Sequence, residues 1–104
     1  MTLIHRRIFY GKVGTADQLV QLMTEANTAM TRFGASFKTR VFTDAMTGRS
    51  DRVVVEWELE NMGDMDTQMA VVMGSPEGAS YFAGMMEKLN GLIEYADGEF
   101  WTVR

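Results

Sequence analysis

Residues Arg52–Glu60, RVVVEWELE, have the clearest strand pattern in this sequence. Because successive side chains of a strand point to opposite faces, this stretch has one apolar face and one largely charged face. The apolar face carries Val53, Val55, Trp57 and Leu59, and the other face carries Arg52, Val54, Glu56, Glu58 and Glu60. The apolar face is expected to line a core or a pocket. The charged face must meet water, cations or another subunit.

A strand, a helix and a second strand are predicted before this stretch. Leu3–Tyr10 is the predicted first strand, although both of its faces mix apolar and basic residues and neither can be assigned to the core. Thr15 is the expected N-cap of the helix, with Gln18 three residues later completing a capping box. Apolar residues at helical spacing continue to Gly34, which is well placed to end the helix. Phe37–Thr43 is the predicted second strand.

The second strand is expected to form a hairpin with Arg52–Glu60. The loop between them, Asp44–Asp51, contains Gly48 and is longer than the tightest hairpin turns. Such a hairpin brings Lys38 and Arg40 close to the glutamates of the central strand. Opposite charges across neighbouring strands are mildly stabilising, so the pairing is consistent with the charge pattern.

Two helical segments are predicted after the central strand. Asn61 is the expected N-cap of the first segment, with Asp64 three residues later. Gly74 is expected to break the helix. Ser75-Pro76 then supplies an N-cap and a proline at the first helical position, so a second segment restarts there.

A short strand is expected to finish the fold. The second helical segment is predicted to stop at Asn90-Gly91, Asp97-Gly98 to form a turn, and Glu99–Val103 to form the last strand. The βαβ unit then occurs twice. This order predicts an α+β fold, a ferredoxin-like βαββαβ sandwich with an antiparallel four-stranded sheet and its helices on one face. Residues 1–104 are expected to form one domain, whose uncovered sheet face is solvated or buried by a partner.

The composition argues against several classes of function. Ten Lys and Arg against fourteen Asp and Glu give a net charge of −4. The chain therefore lacks the excess of positive charge that is typical of proteins that bind nucleic acid or anionic membranes. No apolar run approaches the ~20 residues that a membrane span needs. The amino terminus does not have the layout of a signal peptide. With no cysteine, disulfides and thiolate chemistry are excluded. A cytoplasmic protein without nucleic-acid or membrane partners is expected.

The segment Ile4–Gly14, IHRRIFYGKVG, resembles the opening strand and turn of NIPSNAP-type members of the dimeric α+β barrel superfamily. The residues that match the family's arginine, aromatic, lysine and glycine are Arg7, Phe9, Lys12 and Gly14. His5 stands where those proteins have an acidic residue, and Val13 replaces a proline. The stretch Val55–Met73, followed by residues 74–77 (GSPE), is similar to the family's aromatic strand end, helix and proline–glutamate break.

The resemblance implies a homodimer in which two four-stranded sheets pack face to face into a barrel, with the helices outside. It also implies a possible small-molecule cavity between each sheet and its helices. The superfamily includes antibiotic-biosynthesis monooxygenases that act on aromatic polyketides without a cofactor, haem-degrading enzymes and lactone isomerases. Haem degradation of the family's type needs a histidine on the second helix, and Asn61–Asn90 contains none. No cofactor is therefore expected.

His5 and Arg7 are the candidate catalytic residues. His5 is the sole histidine, and imidazole is the side chain best suited to accept a proton near neutral pH. Arg7 lies two residues on, on the same strand face, where it is expected to stabilise an anionic oxygen. The alternative is structural: both side chains lie at a sheet or dimer surface and bond across strands. One histidine and no cysteine make a structural zinc site unexpected.

The candidate substrate-binding residues are aromatic rings and methionines. Four rings, those of Trp57, Tyr10, Tyr81 and Trp101, are expected to line a pocket for a planar ligand, the rings stacking on it and the phenols orienting it. Met69 and Met85 belong to a methionine stripe that is expected to form a deformable wall. The alternative for all of these residues is plain core packing.

These patterns favour a protein that binds a small hydrophobic or aromatic molecule. The enzymatic hypothesis is a cofactor-independent monooxygenase or isomerase. The alternative is a non-catalytic ligand-binding or dimerisation module. The two hypotheses differ in whether His5 reaches the cavity.

Overall fold

The computed structural model of the chain describes residues 1–44 and 51–104, and these form four strands and three helices. The elements in chain order are β1 (Leu3–Gly11), α1 (Ala16–Arg32), β2 (Lys38–Thr43), β3 (Arg52–Leu59), α2 (Asp64–Gly74), α3 (Pro76–Leu92) and β4 (Ile93–Thr102). No helix in the described part of the chain is both long enough and apolar enough to cross a membrane.

The four strands form one antiparallel sheet in the order β2-β3-β1-β4. This confirms the predicted ferredoxin-like architecture with β1 and β3 at the centre. The hairpin pairing is also confirmed, since Lys38 lies opposite Glu58 and Arg40 lies opposite Glu56. Residues 45–50 of the predicted hairpin loop lie outside the described residues.

The helices cover one face of the sheet, and the core lies between the two layers. Val53 and Val55 of β3 are fully buried there, as are Leu19 of α1 and Val72 of α2. The apolar face of β3 is therefore the core face, as its alternation predicts. Burying a Val or Leu side chain contributes roughly 1.5–3 kcal/mol each, so this layer supplies much of the driving force for folding.

Strand pairing assigns the two faces of β1, which the sequence left open. His5 lies opposite Trp57 and Phe9 lies opposite Val53, and directly opposed residues of neighbouring strands share a face. His5, Arg7 and Phe9 therefore face the helices. The intervening side chains, with Tyr10 among them, face the uncovered side of the sheet.

The first helix begins where the sequence predicts, but the predicted capping box is wrong. Thr15 is the N-cap residue, yet it makes no side-chain cap bond, and its hydroxyl donates to the carbonyls of Lys12 (2.6 Å) and Leu92 (3.1 Å). The carboxylate of Asp51 accepts from the backbone N–H of Ala16 at 3.1 Å instead. A residue distant in sequence thus satisfies one of the free N–H groups of the first turn.

The start of α2 also differs from the prediction. Gly63, not Asn61, is the N-cap, and its N–H donates to the Asn61 side chain at 3.1 Å. The Asp64 carboxylate accepts from the N–H groups of Glu60 (2.9 Å) and Asn61 (3.0 Å). Asn61 is thereby held in a local turn, a common alternative to capping for this residue type.

The restart at α3 is confirmed. The hydroxyl of Ser75 accepts from the N–H of Gly78 at 3.3 Å, and Pro76 occupies the first helical position. Helix α3 continues to Leu92, two residues past the predicted stop.

The prediction of a turn at Asp97-Gly98 is wrong, because β4 runs straight through it from Ile93 to Thr102. Gly98 lies opposite Arg7 of β1, whose side chain crosses it: a Cβ at position 98 would contact the Arg7 Cδ at 3.6 Å. Glycine inside a strand often marks such a close approach. Hydrogen bonding along the whole of β1 overrides the local turn preference.

Candidate ligand-binding site

A cavity of about 390 Å³ lies between the core face of the sheet and the three helices. Among the described residues that line it, the polar ones are His5, Arg7 and Asn27. Seven methionines contribute to its wall: Met23, Met30, Met65, Met69, Met73, Met85 and Met86. We call this space the methionine cavity. Its volume is in the range typical of small-molecule sites, and its thioether wall is both apolar and adaptable.

Trp57 is the aromatic centre of the cavity wall. It is 7% exposed, and its ring centroid lies 5.4 Å from that of His5 on the neighbouring strand. The indole N–H donates to the side-chain oxygen of Asn27 on α1 at 3.2 Å. This bond satisfies the single polar atom of the indole, so the ring can be buried at the cavity without an unpaired donor.

His5 combines burial with an unused nitrogen. Its ring stacks on Phe100 with centroids 4.5 Å apart, and its Nδ1 is buried without a hydrogen-bond partner in the described part of the chain. Burial lowers the pKa of His5 below 6.5, and the charge of Arg7 lowers it further. The imidazole is therefore neutral at pH 7 and has one nitrogen lone pair to accept a proton.

Arg7 lies at the boundary between the cavity and solvent. It is exposed, and its guanidinium carbon is 5.9 Å from the centre of the Phe9 ring. A cation at the mouth of an otherwise apolar cavity attracts an anionic group of a ligand while its charge stays hydrated.

The structure brings five of the predicted site residues together and separates the other three. The residues that line the methionine cavity are His5, Arg7, Trp57, Met69 and Met85. Tyr10, Tyr81 and Trp101 do not line it, so the four rings predicted to form one pocket are not grouped there.

Strand and helix geometry explain these exceptions. Trp101 lies opposite Ile4 and so faces the uncovered side of the sheet. Tyr10 faces the uncovered side of the sheet, where its ring stacks on Tyr95 at 4.3 Å, because side chains at odd and even positions of β1 diverge. Tyr81 lies on α3 next to Phe82, whose ring lines the cavity, and one helical step turns Tyr81 towards Phe33 at 6.4 Å.

Asn27 is the site residue that sequence reasoning missed. Asn27 is a polar residue among the apolar positions of α1 and was not among the predicted site residues. It nevertheless lines the cavity, as do Met23 and Met30, which stand four residues before it and three residues after it. The sequence did contain a signal for this position, because a residue four positions after one apolar residue and three before another lies on the same helix face as both.

The opposite face of the sheet carries paired charges. Glu56 is 5% exposed and accepts from Arg6 Nε at 2.9 Å and Arg40 Nη2 at 3.1 Å. Arg6 also lies 3.8 Å from Glu99. Trp101, on the same face, is 52% exposed. We call this surface the open face. No group of three His, Cys, Asp or Glu residues that could hold a metal ion occurs in residues 1–44 and 51–104.

No family model matches this chain, and no curated protein matches it. Several solved structures are similar to it in fold. A NIPSNAP domain protein from Burkholderia xenovorans has a TM-score of 0.75 at 13% identity, covering 98% of this chain and 94% of its own. A NIPSNAP family protein from Agrobacterium tumefaciens has a TM-score of 0.75 at 14% identity, covering 100% of this chain and 94% of its own.

The cofactor-independent oxygenase SnoaB from Streptomyces nogalater is also similar. It superposes with a TM-score of 0.70 at 12% identity, covering 99% of this chain and 93% of its own. At such identities the likeness concerns the fold, which hosts many unrelated functions. The chain has the ferredoxin-like α+β fold shared by NIPSNAP family proteins and the SnoaB oxygenase.

Proposed function

We propose that this protein binds a small, planar, hydrophobic or aromatic molecule in the methionine cavity. The observation that carries the proposal is the wall itself, in which seven thioethers and the Trp57 indole surround about 390 Å³. Methionine sulfur contacts aromatic rings favourably, at roughly 0.3–1.5 kcal/mol each, and an indole offers a flat surface for stacking. A planar aromatic ligand uses both kinds of contact.

A homodimer formed through the open face is part of the proposal. Cations and anions alternate across this face, with Arg6 and Arg40 flanking Glu56. A two-fold axis brings a surface against its own copy, so a face that carries both signs of charge is complementary to itself. The exposed ring of Trp101 supplies apolar area for such an interface. A cytoplasmic location is proposed with it.

We extend the proposal to chemistry on the bound molecule. His5 accepts a proton from an acidic C–H or O–H group of the ligand, and Arg7 stabilises the anion that remains. The place of His5 in the cavity wall and the lowered pKa of its ring support this assignment. An anion of this kind is the starting point for isomerisation or for reaction with O₂. SnoaB, of similar fold, is a cofactor-independent oxygenase.

The non-catalytic alternative keeps the cavity and removes the proton transfer. The position of His5 on the cavity wall, on the same strand face as Arg7, favours the catalytic form. A His5→Ala variant that still converts every ligand the parent converts would reject His5 as the proton acceptor, whereas a parent that binds ligands and converts none of them would leave the non-catalytic alternative.

Filling the cavity tests the binding proposal. Met85→Trp places a bulky ring in the wall and is expected to raise the dissociation constant of fluorene, a planar tricyclic hydrocarbon, by about tenfold or more, since overpacking a filled site costs roughly 1–3 kcal/mol. Equilibrium dialysis with fluorene measures the dissociation constants.

The matched control is Met62→Trp. Met62 is 59% exposed and does not line the methionine cavity, so the same side chain added there should leave the affinity unchanged. Equal affinity of both variants and the parent would place fluorene elsewhere, and undetectable binding by the parent would reject the ligand class.

The depressed pKa of His5 predicts a pH dependence of stability. As pH falls through about 6.5, the unfolded chain takes up a proton on His5 before the folded chain does. The unfolded state then binds more protons, so the free energy of unfolding falls with falling pH and levels off below the folded-state pKa. His5→Gln should lack this component. Urea unfolding of both proteins at pH values from about 8 to 5 measures the difference, and parallel curves would contradict the prediction.

A further inference from the structure

The hydrogen bond between Trp57 and Asn27 orients a second polar group. The indole nitrogen is a donor only, so the Asn27 side-chain oxygen must face it, at 3.2 Å. The amide NH₂ of Asn27 is thereby turned to the other side. It makes no hydrogen bond to any residue in the described part of the chain.

Asn27 places this amide at the wall of the methionine cavity. Asn27 lines the cavity, and its carbonyl is engaged by the indole of the cavity wall. Because the indole cannot accept, the amide cannot reverse without leaving two donors face to face. Asn27 therefore presents a donor whose orientation is set before any ligand arrives, and a pre-oriented donor costs little to order when a ligand binds.

We propose that Asn27 is the specificity-determining residue of the methionine cavity, and that it selects ligands whose aromatic body carries a hydrogen-bond acceptor oxygen, such as a ring ketone. The inference deepens the proposed function and rests on it. A bare hydrocarbon leaves the Asn27 NH₂ unpaired when it displaces water, whereas a ring ketone pairs with it.

The other polar groups of the cavity have different roles. His5 lies beside Trp57 on the neighbouring strand, with its ring centroid 5.4 Å from that of the indole, and Arg7 lies at the solvent boundary. A neutral His5 can accept as well as donate, and an arginine attracts anions. Asn27 differs from both because a hydrogen bond within the protein sets the orientation of its amide.

Fluorene and 9-fluorenone form the test pair, because they share one skeleton and differ by a carbonyl oxygen. The parent protein is expected to bind fluorenone about fivefold more tightly than fluorene, the net effect of one neutral hydrogen bond. In Asn27→Asp the carboxylate still accepts from Trp57 but replaces the NH₂ by an oxygen. At about pH 8 the preference for fluorenone should vanish or reverse, because a carboxylate oxygen repels the ketone oxygen, and the readout is the ratio of the two dissociation constants in each protein.

A measurement on the parent protein keeps the inference testable if the variant does not fold. The side-chain NH₂ resonances of Asn27 in a ¹⁵N-labelled sample should shift when fluorenone is added and should shift much less with fluorene. Equal binding of the two ligands by the parent, with the Asn27 resonances unmoved, would overturn the inference while the binding proposal stands. Absence of binding by both ligands would overturn the two together.

Discussion

Replacing Gly78 with alanine is expected to lower the free energy of unfolding by about 3 kcal/mol. Gly78 is buried at the start of α3, where a Cβ would overlap the carbonyl oxygen of Val72. That oxygen is backbone and cannot rotate away, so the corner between α2 and α3 must open. A domain of this size is stable by only about 5–15 kcal/mol, so the loss is large. Urea denaturation followed by circular dichroism measures it.

The same helix supplies a control for that substitution. Gly84 of α3 has nothing within 4 Å of the position that an added methyl group would take, so Gly84→Ala should stabilise the protein by about 0.8–1 kcal/mol through helix propensity alone. Opposite signs for the two glycines are expected. Because Met69 and Met85 lie on the two helices that meet at this corner, Gly78→Ala should also weaken fluorene binding. Equal stability of the two variants would contradict the packing argument.

Replacing Glu56 with lysine is expected to cost on the order of 3 kcal/mol of stability and to weaken dimerisation by about tenfold. The substitution sets a third cation against Arg6 and Arg40 at a position that is 5% exposed. The estimate lies at the low end for a broken buried pair, because the Arg6 and Arg40 side chains are 38% and 62% exposed and partly screened. In the proposed dimer the change occurs twice, once on each copy of the open face.

Two further variants separate charge from shape at this position. Glu56→Gln keeps the size of the side chain and should lose about 1 kcal/mol. The double variant Arg40→Glu/Glu56→Lys restores an opposite pair across β2 and β3, and should recover part of the stability. Sedimentation equilibrium measures the dimer in each folded variant. An unchanged dimer dissociation constant in Glu56→Lys would place the open face outside the interface.

The alternation of Arg52–Glu60 was sufficient to predict a central strand with one buried face and one charged face. Val53 and Val55 are buried on one side and Glu56 pairs with arginines on the other, as the period of two requires. The break at Ser75-Pro76 was equally readable, since a serine N-cap followed by proline has a local mechanism. The capping chemistry of single residues and the repeating apolar patterns of strands and helices thus predicted the element order and the ferredoxin-like topology.

The capping and turn predictions failed where distant residues compete with local ones. Asp51 replaces the expected cap bond at Thr15, and the pairing of β4 with β1 keeps Asp97-Gly98 extended. Neither competitor is near in sequence. A turn preference is small compared with a row of strand hydrogen bonds, so the longer-range interaction decides the conformation.

The candidate site divides in the same way. The sequence by itself determined that His5 and Arg7 share a strand face and that a methionine stripe lies on the later helices, because both facts follow from the repeat of a strand or a helix. Only the tertiary structure decided that this face of β1 meets the helices, that Tyr10 lies across the sheet, and that Asn27 bonds to Trp57. These depend on which strands pair and how the helices pack over them, and such contacts join residues far apart in the chain that no local pattern relates.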